Sequence, residues 1–180
     1  PSKAFKITGL PAVLALVAQR PRDVELLYLE ESVQPLLAAA CQTLVTNHKH
    51  YKLVGAEELS RIAGTALHGG AVALAKPRPV LEFDHINAQA WAAARMPLVV
   101  LDGVSNPHNL GAIVRTLAFF GLGHLVISDN THQAGPSESA YRVAEGGFEY
   151  VQLHRAPFPT ALRRLRDHYH VLGTALGQGR

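Results

Sequence analysis

Apolar positions in the first half of the chain alternate between helical and strand spacing. Residues 10–18 repeat apolar side chains with the period of a helix, and residues 24–29 form a short run that is typical of a strand. Pro35 suits the first turn of a further helix. Short strands separated by helices predict a small α/β/α sandwich of three layers. The alternation continues as a helix over residues 34–46, a strand over 51–54, a helix over 56–63 and a strand over 72–75.

The second half shows a sharper pattern, in which an apolar run precedes a polar loop and a helix. Residues 98–101 are all apolar, as expected of a strand that is buried on both faces. Residues 110–120 have helical spacing and end at Gly121, and residues 124–128 predict the next strand. This order predicts a parallel pair of strands with a right-handed crossover. Residues 137–144, 150–153, 159–168 and 170–174 continue the alternation, and the last of them predicts an internal strand.

A basic segment with two prolines, Pro77 and Pro79, separates the two halves. The 180 residues can form one large domain or two small ones, each with its own core. Residues 82–95 predict a linker helix, and we expect Trp91 to anchor it against one of the domains. We therefore predict a domain over residues 1–78, a linker over residues 79–96 and a second domain over residues 97–180.

Composition excludes several classes of protein. Hydrophobic residues make up 48% of the chain and charged residues 17%, which is typical of a globular protein and not of a disordered one. No apolar run approaches the ~20 residues that a membrane-spanning helix needs. The single cysteine, Cys41, excludes an internal disulfide and a zinc site with paired cysteines. It suits a reducing cytoplasm, and we expect it to pack as a small apolar residue.

The net charge of +3 lies entirely in residues 1–78, which contain nine lysines and arginines against six carboxylates. Such an excess permits a polyanionic partner without requiring one. The densest basic and aromatic segment is residues 47–52, where His48 and His50 lie beside two lysines. Because no third ligand is nearby, a metal site is disfavoured; a solvated basic loop is the simplest interpretation, and contact with RNA is the next.

The loop that follows the apolar run at residues 98–101 contains the candidate catalytic residues. Open α/β sheets bind their ligands at the carboxyl ends of the strands, where this loop lies. Asn109 predicts the N-cap of the following helix. Gly111 and Arg115 lie four residues apart and share one helix face, so that another backbone or a nucleotide has room to approach the guanidinium. By spacing alone, a capped helix with a solvated Arg115 is the simpler interpretation.

The motif Asn-x-Gly-x-x-x-Arg after an apolar strand, followed by Phe120 and Gly121, resembles the first motif of the SpoU (TrmH-like) RNA ribose 2′-O-methyltransferases of the SPOUT superfamily. Residues 5–10, with Arg-Pro-Arg at residues 20–22, resemble the start of that family's substrate-binding domain. Residues 63–72 resemble the stretch that closes it. Residues 141–150 resemble a proteobacterial subgroup of tRNA/rRNA methyltransferases, so that the resemblance covers nearly the whole chain.

This resemblance implies a small RNA-binding sandwich followed by a knot-type methyltransferase domain with a parallel sheet. It also implies that a methyl group passes from S-adenosylmethionine to a ribose 2′-OH of rRNA or tRNA, in a cytoplasmic protein that is a homodimer. Arg115 would clamp or stabilise the nucleotide, directed into the crevice at the carboxyl edge of the sheet, because a guanidinium is almost never deprotonated. Asn109 would hold the local geometry. The identity of the general base is left open. The RNA-binding residues that we expect are Arg20, Arg22, His48, Lys49 and Lys52.

The sequence departs from the family in one respect. A Gly-x-Glu-x-x-Gly loop and a Ser-Leu-Asn run form the knot that binds the cofactor in this family, and neither occurs in these residues. We therefore expect a C-terminally incomplete methyltransferase domain, with the cofactor-binding residues beyond Arg180 and an inactive fragment. Two alternatives stay open. One is an RNA-binding module without a functional cofactor site, and the other is a nucleotide-binding α/β enzyme that acts on a small molecule.

Overall fold

The computed structural model of the protein describes residues 4–174, in which strands and helices alternate along the chain. The strands are β1 (Phe5–Thr8), β2 (Val24–Leu29), β3 (His50–Leu53), β4 (Ala71–Ala75), β5 (Leu81–Glu82), β6 (Val99–Leu101), β7 (His124–Ser128) and β8 (Gln152–Ala156). The helices are α1 (Leu10–Gln19), α2 (Ala38–Thr46), α3 (Ala56–Ala63), α4 (His85–Ala93), α5 (Pro107–Phe119), α6 (Glu138–Ala144) and α7 (Thr160–Leu165). In the described part of the chain, no helix is long and apolar enough to cross a membrane.

The first four strands form sheet A, in the order β1-β4-β2-β3. Strands β2 and β3 are parallel, whereas β4 pairs antiparallel with both β1 and β2. Helix α1 begins with Pro11 in its first turn, ends before Pro21 and buries Val13 and Leu16. Strand β1 was not among the predicted elements, because four residues beside a helix start give little periodicity.

The last four strands form sheet B, in the order β5-β8-β7-β6, and every pair in it is parallel. The parallel β6 and β7 joined through α5 confirm the predicted crossover unit. Strand β6 is at an edge of the sheet among the described residues, and Val99 and Val100 are only partly buried. Burial of this strand on both faces is therefore not observed. The mixed α/β fold with a parallel second sheet agrees with the predicted fold class.

Several predicted elements have different bounds, as β8, α7 and α5 do, and one is absent. The helix predicted over residues 34–46 begins at Ala38, because a 3-10 helix with Pro35 in its interior occupies Glu31–Leu37. The linker contains strand β5 as well as helix α4. Residues 170–174 form no strand, which contradicts the prediction; Val171 and Leu172 are exposed and pair with no neighbouring strand among residues 4–174.

Aromatic stacking fixes the linker helix. The Trp91 ring of α4 stacks on the His124 ring at a centroid distance of 3.9 Å. His124 Nδ1 in turn lies 3.2 Å from His154 Nε2 on the neighbouring strand. The prediction that Trp91 anchors the linker is confirmed, and the contact is with sheet B.

The largest cluster of buried apolar side chains is continuous from sheet A to sheet B. Tyr141 of α6 joins the two halves, since its ring meets Phe5 edge-on at 5.9 Å and stacks on Phe148 at 4.3 Å. Cys41 is buried within the same cluster, as predicted. Helix α6 therefore contacts both strand β1 of sheet A and helix α5 of the second half, and the division into domains stays a prediction.

Candidate active site

The loop between β6 and α5 follows the carboxyl end of a strand of sheet B. Hydrogen bonds from Gln133, in the loop after β7, hold it in place. The Gln133 side chain accepts from the Val104 backbone N–H and donates to the Val104 carbonyl oxygen, each at 3.0 Å. Gly103 adopts φ of 77°, in the left-handed region that favours glycine. Both polar backbone groups of Val104 therefore have hydrogen-bond partners, and the loop that leads into α5 is held in place.

Asn106 caps helix α5, which corrects the prediction for Asn109. The Asn106 side chain accepts from the His108 backbone N–H at 2.8 Å, and Pro107 occupies the first helical position. Asn109 lies exposed within the first turn. Two asparagines near one helix start made the choice ambiguous, and the proline decides it because it suits the first position of a helix.

Gly111 makes room for a helix and not for a nucleotide. A Cβ atom added at Gly111 would lie 2.5 Å from the Ala140 carbonyl oxygen and 2.9 Å from Val143 Cβ. Both neighbours belong to α6, so that α5 and α6 cross at this glycine. Of the two alternatives raised by the spacing, the structure selects the approach of another backbone.

Arg115 lies on the same side of α5 as Gly111, about one turn further along the helix. Its side chain is 58% exposed, and its Nη1 atom lies 3.2 Å from Oε1 of Glu145. At 1.5 Å per residue, about 12 Å of helix separates Arg115 from Pro107. Arg115 therefore lies beside the end of α6 in a surface ion pair, and the orientation of its guanidinium toward the crevice at the carboxyl edge of the sheet stays a prediction.

Glu145 follows α6 in a left-handed conformation, with φ of 47° and ψ of 41°. This conformation costs a residue with a side chain about 1–2 kcal/mol. A half-exposed ion pair contributes only about 0.2–1 kcal/mol to stability. Since the Glu145 side chain is 52% exposed, its pairing with Arg115 does not offset the cost of the conformation. A glycine or an asparagine would fit this backbone position more easily.

The two glycines after Glu145 lie between helices of the two halves. A Cβ atom at Gly146 would lie 2.8 Å from Ala15 Cβ of α1. At Gly147 it would lie 3.1 Å from the Arg115 Cα atom of α5. The segment that carries Glu145 is therefore enclosed by close backbone contacts on both sides, and its position relative to Arg115 is fixed.

Arg20 does not fit its predicted contact with RNA. Its Nε and Nη2 atoms donate to the two carboxylate oxygens of Glu149 at 2.6 and 2.9 Å, and Nη1 donates to Asp23 and to the Lys76 carbonyl oxygen, both at 2.9 Å. The Arg20 side chain is 15% exposed and that of Glu149 is 1% exposed. Burial alone would lower the pKa of Arg20, but the hydrogen bond and charge of Glu149 outweigh it and leave this pKa raised. Arg20 thus ties α1 to the turn after α6.

The other basic residues predicted to contact RNA lie at surfaces of sheet A. Arg22 is exposed in the 3-10 helix Pro21–Asp23. His48 and Lys49 lie in the turn before β3, and Lys52 is exposed on β3 itself. Strand β3 is the opposite edge from β1, which contacts α6 through the bond from the Lys6 N–H to Glu138. Three strand spacings of about 4.8 Å place this basic edge roughly 14 Å from the edge at α6.

Ser60 of helix α3, His68 and Glu30 resemble a hydrolytic triad, but the tautomer of the histidine does not fit one. Ser60 Oγ lies 3.0 Å from His68 Nε2, and Glu30 Oε1 lies 3.4 Å from His68 Nδ1. The Gly70 backbone N–H donates to Nδ1 at 3.2 Å, which places the ring hydrogen of neutral His68 on Nε2. A histidine with that tautomer donates to the serine and cannot accept its proton. The arrangement is a buried structural contact.

Two family models match this chain. The SpoU rRNA methylase family matches residues 96–180, and the RNA 2′-O ribose methyltransferase substrate-binding family matches residues 6–81. The 23S rRNA (guanosine-2′-O-)-methyltransferase RlmB of Photorhabdus laumondii is 33% identical over 94% of this chain and 70% of its own length. This chain belongs to the SpoU family.

Further similarities agree with SpoU membership. A Haemophilus influenzae protein described as an uncharacterized tRNA/rRNA methyltransferase is 35% identical over 92% of this chain and 46% of its own length. An rRNA methyltransferase from Sinorhizobium meliloti superposes with a TM-score of 0.68 at 19% identity, over 97% of this chain and 65% of that one. Its AdoMet-bound form gives a TM-score of 0.64 at 20% identity, over 92% and 59%. The chain spans about half the length of the first curated relatives that it matches.

Two cavities of this SpoU chain lie in its first half. The two best-formed cavities among residues 4–174, each about 440 Å³, both lie against sheet A. At the carboxyl edge of sheet B, the Val104 backbone groups are already bonded to Gln133. The expectation that the cofactor-binding residues lie beyond Arg180 stays a prediction.

Sequence reasoning missed two residues of this SpoU site. Gln133 is a single residue in a polar loop, and only the fold brings it to Val104. Glu145 lies in a segment that resembles the family's subgroup, but its pairing with Arg115 spans thirty residues and two helices. A carboxylate at a predicted helix end, immediately before two glycines, is the signal that could have indicated an unusual backbone there.

Proposed function

We propose that this SpoU protein transfers a methyl group from S-adenosylmethionine to a ribose 2′-OH of rRNA or tRNA. Arg115 carries the proposal: it occupies the arginine position of the family's first motif, on a helix fixed at both ends, with a guanidinium that stays accessible to RNA. The family membership and the substrate-binding match over residues 6–81 support an RNA substrate. The domain division at residues 1–78, 79–96 and 97–180 is part of the proposal.

The reaction needs an oriented hydroxyl group and a place for its proton. The ribose oxygen attacks the sulfonium-bound methyl carbon, the carbon–sulfur bond breaks to leave a neutral thioether, and the hydroxyl proton passes to a base. Arg115 stays protonated, so that it clamps a phosphate or orients the ribose and is not the base. Asn109, exposed in the first turn of α5, holds the local geometry of the bound nucleotide.

RNA approaches along two surfaces in this proposal. Arg22 and the basic edge formed by His48, Lys49 and Lys52 bind phosphates, while Arg115 binds the target nucleotide. One RNA contacts both surfaces in this proposal. Binding through phosphates predicts an affinity that falls steeply with salt concentration.

Radioactive methyl transfer tests the proposal. The complete gene product is incubated with methyl-tritiated S-adenosylmethionine and with rRNA or tRNA from a strain that lacks the gene. Label should enter RNA and survive alkaline hydrolysis within a dinucleotide, since a 2′-O-methyl group blocks cleavage. RNA binding without transfer supports the RNA-binding module, and the absence of salt-dependent RNA binding supports an enzyme for a small nucleotide.

We also propose that the complete protein is a cytoplasmic homodimer. Phe119 and Phe120 support it, because these rings meet edge-on at 5.2 Å at the end of α5 and are 84% and 69% exposed. Large exposed aromatic pairs are typical of contact surfaces. Sedimentation equilibrium of the complete gene product and of its Phe119→Ser variant checks the dimer, which the variant should weaken.

A further inference from the structure

We infer that Glu145 is a positioning residue that holds the Arg115 guanidinium in the orientation required for methyl transfer. The inference rests on the proposed function, and it assigns a role to a residue outside the family's first motif. Its basis is the juxtaposition of Glu145 Oε1 and Arg115 Nη1 at 3.2 Å, together with the backbone conformation that produces it.

The ion pair needs the left-handed backbone at Glu145. Helix α6 ends at Ala144, and the reversal of φ at the next residue turns the chain toward α5. Because the ion pair is half-exposed, its contribution to stability is smaller than the cost of the left-handed conformation. A strained residue that the surrounding contacts maintain without a gain in stability is a feature of functional sites.

The segment around Glu145 also has little freedom to move. Gly146 lies against Ala15 of α1, and Gly147 lies against the Arg115 backbone. Four residues further on, Glu149 is held by Arg20. The carboxylate of Glu145 is therefore presented to Arg115 from a rigid support, whereas a long arginine side chain alone would sample many rotamers. A fixed donor spends more time in the reactive arrangement.

Substitution by glycine separates positioning from structure. Glu145→Gly removes the carboxylate and relieves the left-handed strain, so that Tm should be retained or rise while kcat falls by up to about fivefold, the ratio that corresponds to an exposed ion pair. KM for RNA should change less than kcat. Glu145→Gln keeps an oxygen that can accept from Arg115, and it should lose less activity than the glycine variant.

Arg95→Gly is the matched control. Arg95 also has a side chain at positive φ, 57°, at the exposed end of α4. Its replacement relieves the same kind of strain after another helix. Tm should again be retained or rise, and kcat should equal that of the wild type.

A measurement on the guanidinium itself keeps the inference separate from the proposed function. Relaxation of the ¹⁵N-labelled Nε–Hε group of Arg115 should show an ordered side chain in the wild type and in Arg95→Gly, and a disordered one in Glu145→Gly. Equal order in all three proteins overturns the inference, as does a Glu145→Gly variant with unchanged kcat and a lower KM. If Arg115 order depends on Glu145 but the wild type transfers no methyl group to RNA, the positioning role stands and the proposed function is wrong.

Discussion

Two arginine–glutamate pairs lie on opposite sides of one short segment, and they differ in almost every physical property. Arg20 and Glu149 form a pair with two hydrogen bonds and side chains that are 15% and 1% exposed. Arg115 and Glu145 form one contact between side chains that are 58% and 52% exposed. Both glutamates belong to the end of α6 and the turn after it.

The difference shows which arginine serves the fold and which is available for chemistry. A buried charge must keep its partner, because removing one member leaves an uncompensated charge in an apolar setting. An exposed pair contributes little to stability, and its guanidinium keeps donors that are accessible to an RNA phosphate. Exposure, and not the type of residue, separates the two roles.

The largest effect on stability is expected from the buried pair. Arg20→Met should lower the free energy of unfolding by about 3–5 kcal/mol, since Glu149 then lacks its partner. Urea denaturation measures this change. The double variant Arg20→Met/Glu149→Leu should recover much of the loss, and a double variant as unstable as the single one would contradict the comparison.

The largest effect on activity is expected from the exposed pair. Arg115→Ala should reduce methyl transfer to RNA by about 10²–10³-fold or more, because a charged donor at the reacting nucleotide is lost. Its free energy of unfolding should change by less than about 0.5 kcal/mol. Tritium incorporation and urea denaturation give the two values. Arg163→Ala, at an exposed position of α7, is the control and should retain wild-type transfer.

The contact between His124 and His154 tests whether burial also determines the energetics of a pair without opposite charges. Burial and the neighbouring His124 lower the pKa of His154 to about 4. The unfolded chain binds this proton near pH 6.5, so that stability is complete above about pH 6.5 and falls by up to about 1.4 kcal/mol per pH unit toward pH 4.

Denaturation in urea at about pH 7 and about pH 5 checks this slope. His154→Gln should flatten it, whereas substitution of the exposed His50 should leave it unchanged. An unaltered slope in His154→Gln would assign the pH dependence to other groups.

The smallest effect is expected on the stability of the exposed pair. Glu145→Gln should change the free energy of unfolding by less than about 1 kcal/mol, because solvent screens the charges. Thermal denaturation at low and high salt measures it. A loss as large as that of Arg20→Met would show that the two pairs are equivalent after all.

Local patterns in the sequence predicted most elements but not the contacts between them. Strand β7 and helix α3 have the predicted bounds, since both are marked by clear periodicity and by flanking glycines. Helix α5 begins three residues before the predicted position, because Asn106, followed by Pro107, caps it in place of Asn109. The strand predicted over residues 170–174 is absent, because an apolar run becomes a strand only where a partner lies beside it.

For the candidate site, the motif identified Arg115 but not its surroundings. Nothing local shows that Arg20 is buried and Arg115 exposed, since both are single arginines within or after a helix. Glu145 and Glu149 are likewise two carboxylates in one segment. Their pairing depends on how α1 and α5 pack around the two glycines between them, which is a long-range property.

The amino-acid sequence by itself determined the α/β class, the parallel strand pair, the SpoU resemblance and the arginine of the first motif, because spacing and residue type encode these features locally. The tertiary structure alone decided that Arg20 is buried and Arg115 accessible, and that Glu145 faces the latter. Burial and charge pairing arise from contacts between residues distant in the chain, and their energies depend on how far each group is removed from water.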